Sequence, residues 1–106
     1  MVTCQSIQKF IARFNHDEKY EEVIDTFKNG CCYWFARILY ERFSFEANEI
    51  YIVYDEVINH WGCYIDGLVY DISGEVTTDY KWELWSAVMA RDELLAARLI
   101  RDCIYF

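Results

Sequence analysis

The sequence predicts a single α+β domain over residues 1–106, with helices packed on a small antiparallel sheet of three or more strands. Apolar residues recur at helical spacing near both ends of the chain. The segment 49–73 between them is rich in Tyr, Ile and Val and contains an Asp-Gly turn dipeptide. The chain has no proline and only four glycines, and no stretch has the composition of a linker between domains.

The first part of the chain predicts two helices. Over residues 3–14 the apolar side chains follow one another at spacings of three and four, and so form one helical stripe: Ile7, Phe10, Ile11 and Phe14. Residues 18–27 predict a second, acidic helix with four inward side chains: Tyr20, Val23, Ile24 and Phe27. Asn29 and Gly30 are turn residues and end this pattern.

A third helix is predicted to begin near Cys31. It places five residues on one face: Cys32, Phe35, Ala36, Leu39 and Phe43. Cys32 then lies inward in the first turn, where free backbone amides and the positive end of the helix dipole favour a thiolate. Taken alone, Cys32 is better explained as a small buried core residue.

The middle segment predicts a β-hairpin. The dipeptide Asp66-Gly67 forms a two-residue turn, which fixes the residues that face each other on the two strands. In that register His60 and Asp71 are diagonal neighbours on one face, about 7 to 8 Å apart at the backbone. Gly62, opposite Asp71, has no side chain, and we expect this to leave room for contact between His60 and Asp71.

Together these three residue types predict a nucleophilic site. A thiolate attacks a carbonyl carbon, an imidazole exchanges the proton, and a carboxylate orients the imidazole and stabilises its charged form. We therefore predict Cys32 as nucleophile, His60 as base and Asp71 as the residue that orients the base. Individually, His60 could be an ordinary strand histidine and Asp71 a solvated carboxylate at a strand end.

Two segments also resemble a known superfamily. GCCYWFARIL resembles the G-x-C-x-x-x-A-x-x-L helix start of the transglutaminase-like and papain-like enzymes, with Gly30, Cys32, Ala36 and Leu39 at the matching positions. NHWGCYIDGLVYDISG resembles the histidine and the aspartate-ending strand of their second half. The resemblance spans residues 30–74 and implies a papain-like core and cysteine protease, hydrolase or transglutaminase chemistry. The motifs also resemble small bacterial and phage proteins.

The resemblance favours Cys32 over the adjacent Cys31, which takes a variable position and points about 100° away on a helix. The sequence departs from the pattern in two respects. The interval from His60 to Asp71 is short, and no glutamine is recognisable upstream at the place where papain-like peptidases keep an oxyanion donor. We therefore expect the Cys32 backbone amide to bind the oxyanion, with the Asn29 side chain as a weaker candidate.

Charge and composition limit the partners. The net charge of −8 disfavours nucleic acid and acidic membrane surfaces. No apolar run is long enough to span a membrane, and the N-terminus lacks the pattern of a secretory signal. We expect a cytoplasmic protein that acts on a protein or peptide substrate. The sequence does not predict an oligomeric state.

Five cysteines in a chain without framework spacing indicate free thiols and a reducing compartment. Four residues are of types that bind zinc: Cys31, Cys32, His60 and Cys63. Adjacent cysteines are a poor pair of ligands for one tetrahedral ion, and no C-x-x-C pair is present. We therefore expect no metal and no cofactor.

The C-terminal part predicts packing elements. Trp82 and Trp85 are expected to cover one edge of the sheet, or to line a groove. Residues 92–103 predict a final helix whose inward stripe is Leu95, Leu99 and Cys103, with Ala96 and Ile100 beside it.

Two functions follow as hypotheses. The first is a cysteine-dependent acyl-transfer enzyme that acts on an amide, isopeptide or thioester by hydrolysis or transfer through an acyl group on Cys32. The second is a catalytically inactive, acidic module on the same fold that binds or inhibits another protein. The small size and the net charge of −8 motivate the second hypothesis.

Overall fold

The computed structural model describes residues 3–14 and 32–104, of which residues 102–104 are described by their backbone alone. The predicted helix over residues 18–27 lies outside the described residues, as do Asn29, Gly30 and Cys31. The described chain forms helices packed on a five-stranded antiparallel sheet, so the predicted α+β class is confirmed.

Helix α1 spans Cys4–Ala12 and begins at Thr3. The Thr3 Oγ1 atom accepts a hydrogen bond from the Ser6 amide, and the Ser6 Oγ atom accepts one from the Thr3 amide, each at 3.0 Å. This reciprocal cap satisfies two amides at the helix start that have no partner within the helix. Ile7 and Ile11 are buried, as the apolar stripe predicts.

Helix α2 spans Cys32–Phe43. Its buried residues are the five expected from the sequence: Cys32, Phe35, Ala36, Leu39 and Phe43. The apolar face of α2 therefore packs inward along its whole length, and Cys32 occupies the first turn at one end of the core.

The sheet contains strands β1 (Ile50–Asp55), β2 (His60–Ile65), β3 (Leu68–Asp71), β4 (Gly74–Glu75) and β5 (Glu83–Leu84), in the order β4-β3-β2-β1-β5. Strands β2 and β3 pair through Ile65 and Leu68, in the predicted register. At the turn, Asp66 and Gly67 have φ values of 48° and 103°, as a turn with two left-handed central residues requires.

The two faces of the sheet are covered differently. The main core lies between the sheet and helices α1 and α2, and includes Phe35, Leu39, Cys63, Ile65 and Tyr70. On the opposite face a smaller cluster forms around three valines, with partly buried aromatic side chains against it: Val53, Val69 and Val76, with Tyr64, Tyr80 and Trp82. His60 and Asp71 belong to this second face by the alternation of side chains along a strand.

Helices α3 (Trp85–Arg91) and α4 (Glu93–Ile104) complete the described fold. The inward face of α4 differs from the predicted stripe, because Ala96 is buried whereas Leu95 is 44% exposed. Leu99 and Ile100 pack with Ala96 against the cluster that contains Trp85. The short side chain of Ala96 lets the helix lie close to its neighbours, which turns Leu95 outward. The side chain of Cys103 lies outside the described residues.

Candidate active site

His60 and Asp71 form a buried pair. The Nε2 atom of His60 lies 2.8 Å from Oδ2 of Asp71, and the two residues are only 7% and 5% exposed. The other carboxylate oxygen, Oδ1, accepts a hydrogen bond of 2.7 Å from the Ser73 amide. Because both oxygens of Asp71 are engaged, the carboxylate has a fixed orientation toward the ring.

The turn before β2 positions the histidine. Asn59 has a φ of 55°, a left-handed conformation that asparagine tolerates better than most residues. Its Oδ1 atom accepts a hydrogen bond of 2.5 Å from the Tyr54 hydroxyl. The turn thus delivers His60 as the first residue of β2, at the end of the sheet.

Cys32 approaches the same ring from the helical layer. Its helix packs on the face of the sheet opposite to His60 and Asp71, which differs from the expected docking of Cys32 against their face. The first turn of α2 nevertheless brings the thiol to the end of the sheet, near enough to the His60 side chain to help raise its pKa. Cys32 itself is 6% exposed.

These contacts control the protonation of His60. Burial disfavours the charged ring, but the hydrogen bond to Asp71 and the favourable interactions with Asp71 and Cys32 outweigh it and raise the pKa of His60 from 6.5 to about 9. With Nε2 engaged by Asp71, Nδ1 is the ring nitrogen left to exchange a proton with the thiol. The structure therefore brings together all three predicted site residues, while their catalytic roles stay predictions.

An aromatic cover lies on the His60 ring and was not predicted for the site. The ring centroids of Tyr80 and Trp82 are 4.9 and 5.9 Å from that of His60. Trp82 also donates a hydrogen bond of 3.2 Å from Nε1 to the Val76 carbonyl. The signal in the sequence was Trp82, which was expected to cover an edge of the sheet or to line a groove. Nothing in the local pattern pairs Tyr80 or Trp82 with His60.

The space beside Gly62 belongs to this cover. A Cβ atom at position 62 would lie 2.9 Å from Cγ1 of Val69 and 3.1 Å from Cη2 of Trp82. The three atoms nearest to that Cβ position belong to Val69, Trp82 and Tyr70, and none of them to His60 or Asp71. Gly62 therefore lets Trp82 approach the sheet next to His60.

A second buried carboxylate, Asp55, was not predicted from the sequence. It is 4% exposed and lies directly across from His60 in the pairing of β1 with β2. A carboxylate at a strand end is normally solvated, and the sequence around Asp55 shows no feature that would indicate burial.

Cys32 is surrounded by aromatic residues on its other side. Tyr54, Trp61 and Trp85 share its cluster, and their rings are 4.8 to 5.3 Å apart at the centroids. The indole N–H groups of Trp61 and Trp85 are buried and, among the described residues, have no hydrogen-bond partner. A buried donor without a partner costs free energy, so these two N–H groups would gain from a bound acceptor.

Comparison with known proteins identifies the family. The family model described as Phage YunG-like protein matches residues 5–93, which is most of the chain. The chain belongs to the Phage YunG-like family. Cys32, His60 and Asp71 all lie inside the matched range. No curated protein and no solved structure matches the chain.

This membership corrects the resemblance drawn from the two motifs. The matching family is the Phage YunG-like family and not the transglutaminase-like and papain-like superfamily, so that assignment was wrong. The cysteine protease, hydrolase and transglutaminase descriptions, and the papain-like core that came with the resemblance, have no support from the family match. Short motifs around a cysteine and a histidine record local geometry that unrelated families share. The phage origin agrees with the family description.

Two wider properties of this Phage YunG-like chain concern only the described ranges. Within residues 3–14 and 32–104, no helix combines the length and the apolar character needed to cross a membrane. Over the same ranges, no three His, Cys, Asp or Glu side chains are grouped so that they could share a metal ion.

Proposed function

We propose that this Phage YunG-like family member is a cysteine-dependent acyl-transfer enzyme, with Cys32 as nucleophile, His60 as acid and base, and Asp71 as the residue that orients His60. One observation carries the proposal. The His60 ring is hydrogen-bonded to a fixed carboxylate, and the Cys32 side chain lies near enough to the ring to help raise its pKa. This is the arrangement that activates a thiol for attack on a carbonyl carbon.

The chemistry balances with these three residues. The proposed reaction starts from a pair in which His60, whose pKa is raised to about 9, holds the proton and the Cys32 sulfur has given its proton up, because the thiolate is the nucleophile. The sulfur attacks the carbonyl carbon of an amide, isopeptide or thioester, the bond to the leaving nitrogen or sulfur breaks, and the leaving group takes the proton from His60. An acceptor nucleophile then gives a proton to His60 and attacks the Cys32 thioester. The released thiolate restores the starting pair.

Two further observations support a carbonyl substrate. The N–H groups of Trp61 and Trp85, which have no partner among the described residues, lie in the cluster that contains Cys32, and N–H donors are the groups that stabilise a developing oxyanion. Asp71 and the aromatic cover limit the contact of His60 with water, which strengthens the electrostatic interactions of the ring.

A groove beside the site supports a protein or peptide substrate. The groove has a volume of about 240 Å³ and is lined on one wall by Tyr33, the residue after Cys32, and on another by Trp85 and by residues 50–52 of β1. Strand β5 pairs only with Val53 and Tyr54, so the described residues leave the outer edge of β1 unpaired over residues 50–52. An extended peptide binds such an edge through its backbone and places alternate side chains in the groove.

The test is direct acylation of the thiol. The protein is incubated with small thioester and activated amide donors, and intact mass spectrometry with peptide mapping locates the adduct. We expect the acyl group on Cys32, none in Cys32→Ser, and slower formation in His60→Ala. Cys4→Ser is the matched control, because Cys4 is exposed on α1 and makes no contact with His60. Equal labelling of Cys32 in wild type and His60→Ala would overturn the assignment.

A second candidate function is an inactive module that binds another protein. The loop just before His60 exposes two large apolar side chains, Val57 at 77% and Ile58 at 54%, which is a feature of contact surfaces. The net charge of −8 favours a basic partner. Capture of a purified basic partner that survives Cys32→Ser, together with no detectable acylation, would support this function instead.

A further inference from the structure

Asp55 is a buried carboxylate that the proposed chemistry does not use. Both of its oxygens accept hydrogen bonds from backbone amides. Oδ1 accepts from Val57 at 2.8 Å and from Ile58 at 3.4 Å, while Oδ2 accepts from Lys81 at 2.9 Å. One side chain thus joins the loop before His60 to the segment before β5, two parts of the chain separated by more than 20 residues.

The Lys81 amide belongs to the residue between Tyr80 and Trp82 in the sequence, the two residues whose rings form the aromatic cover. Their ring centroids are 4.9 Å apart, and both rings lie on His60. A hydrogen bond at this amide fixes the backbone from which both rings project. The side chain of Lys81 is exposed and takes no part in this bond.

The pKa of Tyr80 reflects the short distances between these groups. Burial, followed by the negative charges of Asp71, Asp79, Asp55 and Cys32, raises the pKa of Tyr80. The Tyr80 ring therefore lies among the groups of the His60 site and, because its hydroxyl keeps its proton to higher pH, adds no negative charge there.

We propose that Asp55 is a positioning residue that holds the Tyr80 and Trp82 rings on His60, and thereby shields the hydrogen bond between His60 and Asp71 from water. A hydrogen bond shielded from water is stronger and exchanges its proton more slowly. Any effect of Asp55 on the reactivity of Cys32 rests on the proposed acyl-transfer function. The shielding of His60 does not depend on that function.

Asp55→Asn tests this with little change in shape. The asparagine side chain keeps one acceptor oxygen, which still accepts hydrogen bonds from the Val57 and Ile58 amides. Its NH₂ group then faces the Lys81 amide, and because both groups are donors no hydrogen bond forms between them. We expect the Tyr80 and Trp82 rings to leave His60. In NMR spectra the upfield ring-current shifts of the His60 ring protons are lost, and the His60 Nε2–H signal broadens through exchange with water.

Two matched controls separate positioning from general damage. Asp66→Asn changes a second carboxylate, which lies at the far end of β2 and accepts hydrogen bonds from the backbone amides of Asn48 and Glu49. Lys81→Ala removes the exposed side chain and keeps the amide. Both variants should leave the His60 signals unchanged. If Asp55→Asn does not fold, Trp82→Leu provides the same readout, because it removes one ring and leaves the hydrogen bonds of Asp55 intact.

A double-mutant cycle then tests whether Asp55 acts on His60 through the rings of Tyr80 and Trp82. If Asp55 acts through the cover, Asp55→Asn broadens the His60 Nε2–H signal about threefold or more in the wild-type background and has no further effect in Tyr80→Leu/Trp82→Leu. Equal effects in both backgrounds, or unchanged His60 signals in folded Asp55→Asn, would overturn the proposal. If Cys32 forms no acyl adduct while the cycle shows coupling, the acyl-transfer function fails and the positioning role of Asp55 stands.

Discussion

Gly62 and Trp82 occupy adjoining space on the face of the sheet that carries His60, where a Cβ atom on residue 62 would come within 3.1 Å of the indole ring. The same atom would lie 2.9 Å from Cγ1 of Val69. Gly62→Ala therefore forces Trp82 and Val69 to shift, and overpacking of this kind costs about 1–3 kcal/mol. We expect a lower midpoint in urea unfolding, together with a red shift of tryptophan fluorescence as the Trp82 ring loses contact with His60.

The double variant Gly62→Ala/Val69→Ala checks the cause. Removing the Val69 methyl groups relieves the shorter of the two contacts, so the paired changes should cost less free energy of unfolding than the sum of the single changes. Strict additivity would show that the Val69 contact is not what opposes an alanine at position 62.

The parts of the fold that follow from local rules could be predicted from the sequence. The register of β2 and β3 came from one dipeptide, because Asp66-Gly67 supports left-handed conformations at both central positions of a two-residue turn. The buried face of α2 came from helical spacing alone. Since both rules act over a few residues, they also placed His60 and Asp71 on one face before any tertiary contact was known.

The parts that depend on distant segments could not be predicted. The hydrogen bond from Lys81 to Asp55 joins residues far apart in sequence, and no spacing rule relates them. Trp82 reaches His60 only because the chain returns to β1 as β5. The outward position of Leu95 reflects how closely Ala96 packs against other elements, which helical periodicity does not contain.

Asp71→Asn should lower the pKa of His60. The hydrogen bond that the His60 ring donates to Asp71 is the largest of the contributions that raise this pKa to about 9, and an amide oxygen in place of the carboxylate accepts the bond without carrying a negative charge. We expect the NMR titration midpoint of His60 to fall by about one pH unit or more, and the rate of Cys32 alkylation at neutral pH to fall with it. Asp79→Asn is the control, since Asp79 acts on Tyr80 and is not among the groups that shift His60. The same midpoint in Asp71→Asn as in wild type would remove Asp71 from its orienting role.

The thiols of Cys4 and Cys63 should differ in reactivity. Cys63 is fully buried and burial raises its pKa to about 12, so it has almost no thiolate at neutral pH and no access to a reagent. Cys4 is exposed on α1. Peptide mapping after brief alkylation with iodoacetamide should find Cys63 unmodified in the folded protein and modified in 8 M urea, with Cys4 modified in both. Early labelling of Cys63 under native conditions would mean that the core between α2 and the sheet opens readily.

Stability should decline as the pH rises through the range in which His60 loses its proton. The pKa of His60 is about 9 in the folded chain against 6.5 for a free histidine, so between these values the folded state binds more protons than the unfolded state. The contribution, on the order of 3 kcal/mol, is complete below pH 6.5 and is lost as the pH rises through about 9. Urea unfolding at pH 6, 7.5 and 9 measures the decline. His60→Gln should be less stable at pH 6 and flatter up to pH 9, beyond which the buried Cys63 thiol adds its own loss in both proteins. Parallel pH profiles for the two proteins would show that the proton on His60 contributes nothing to folding.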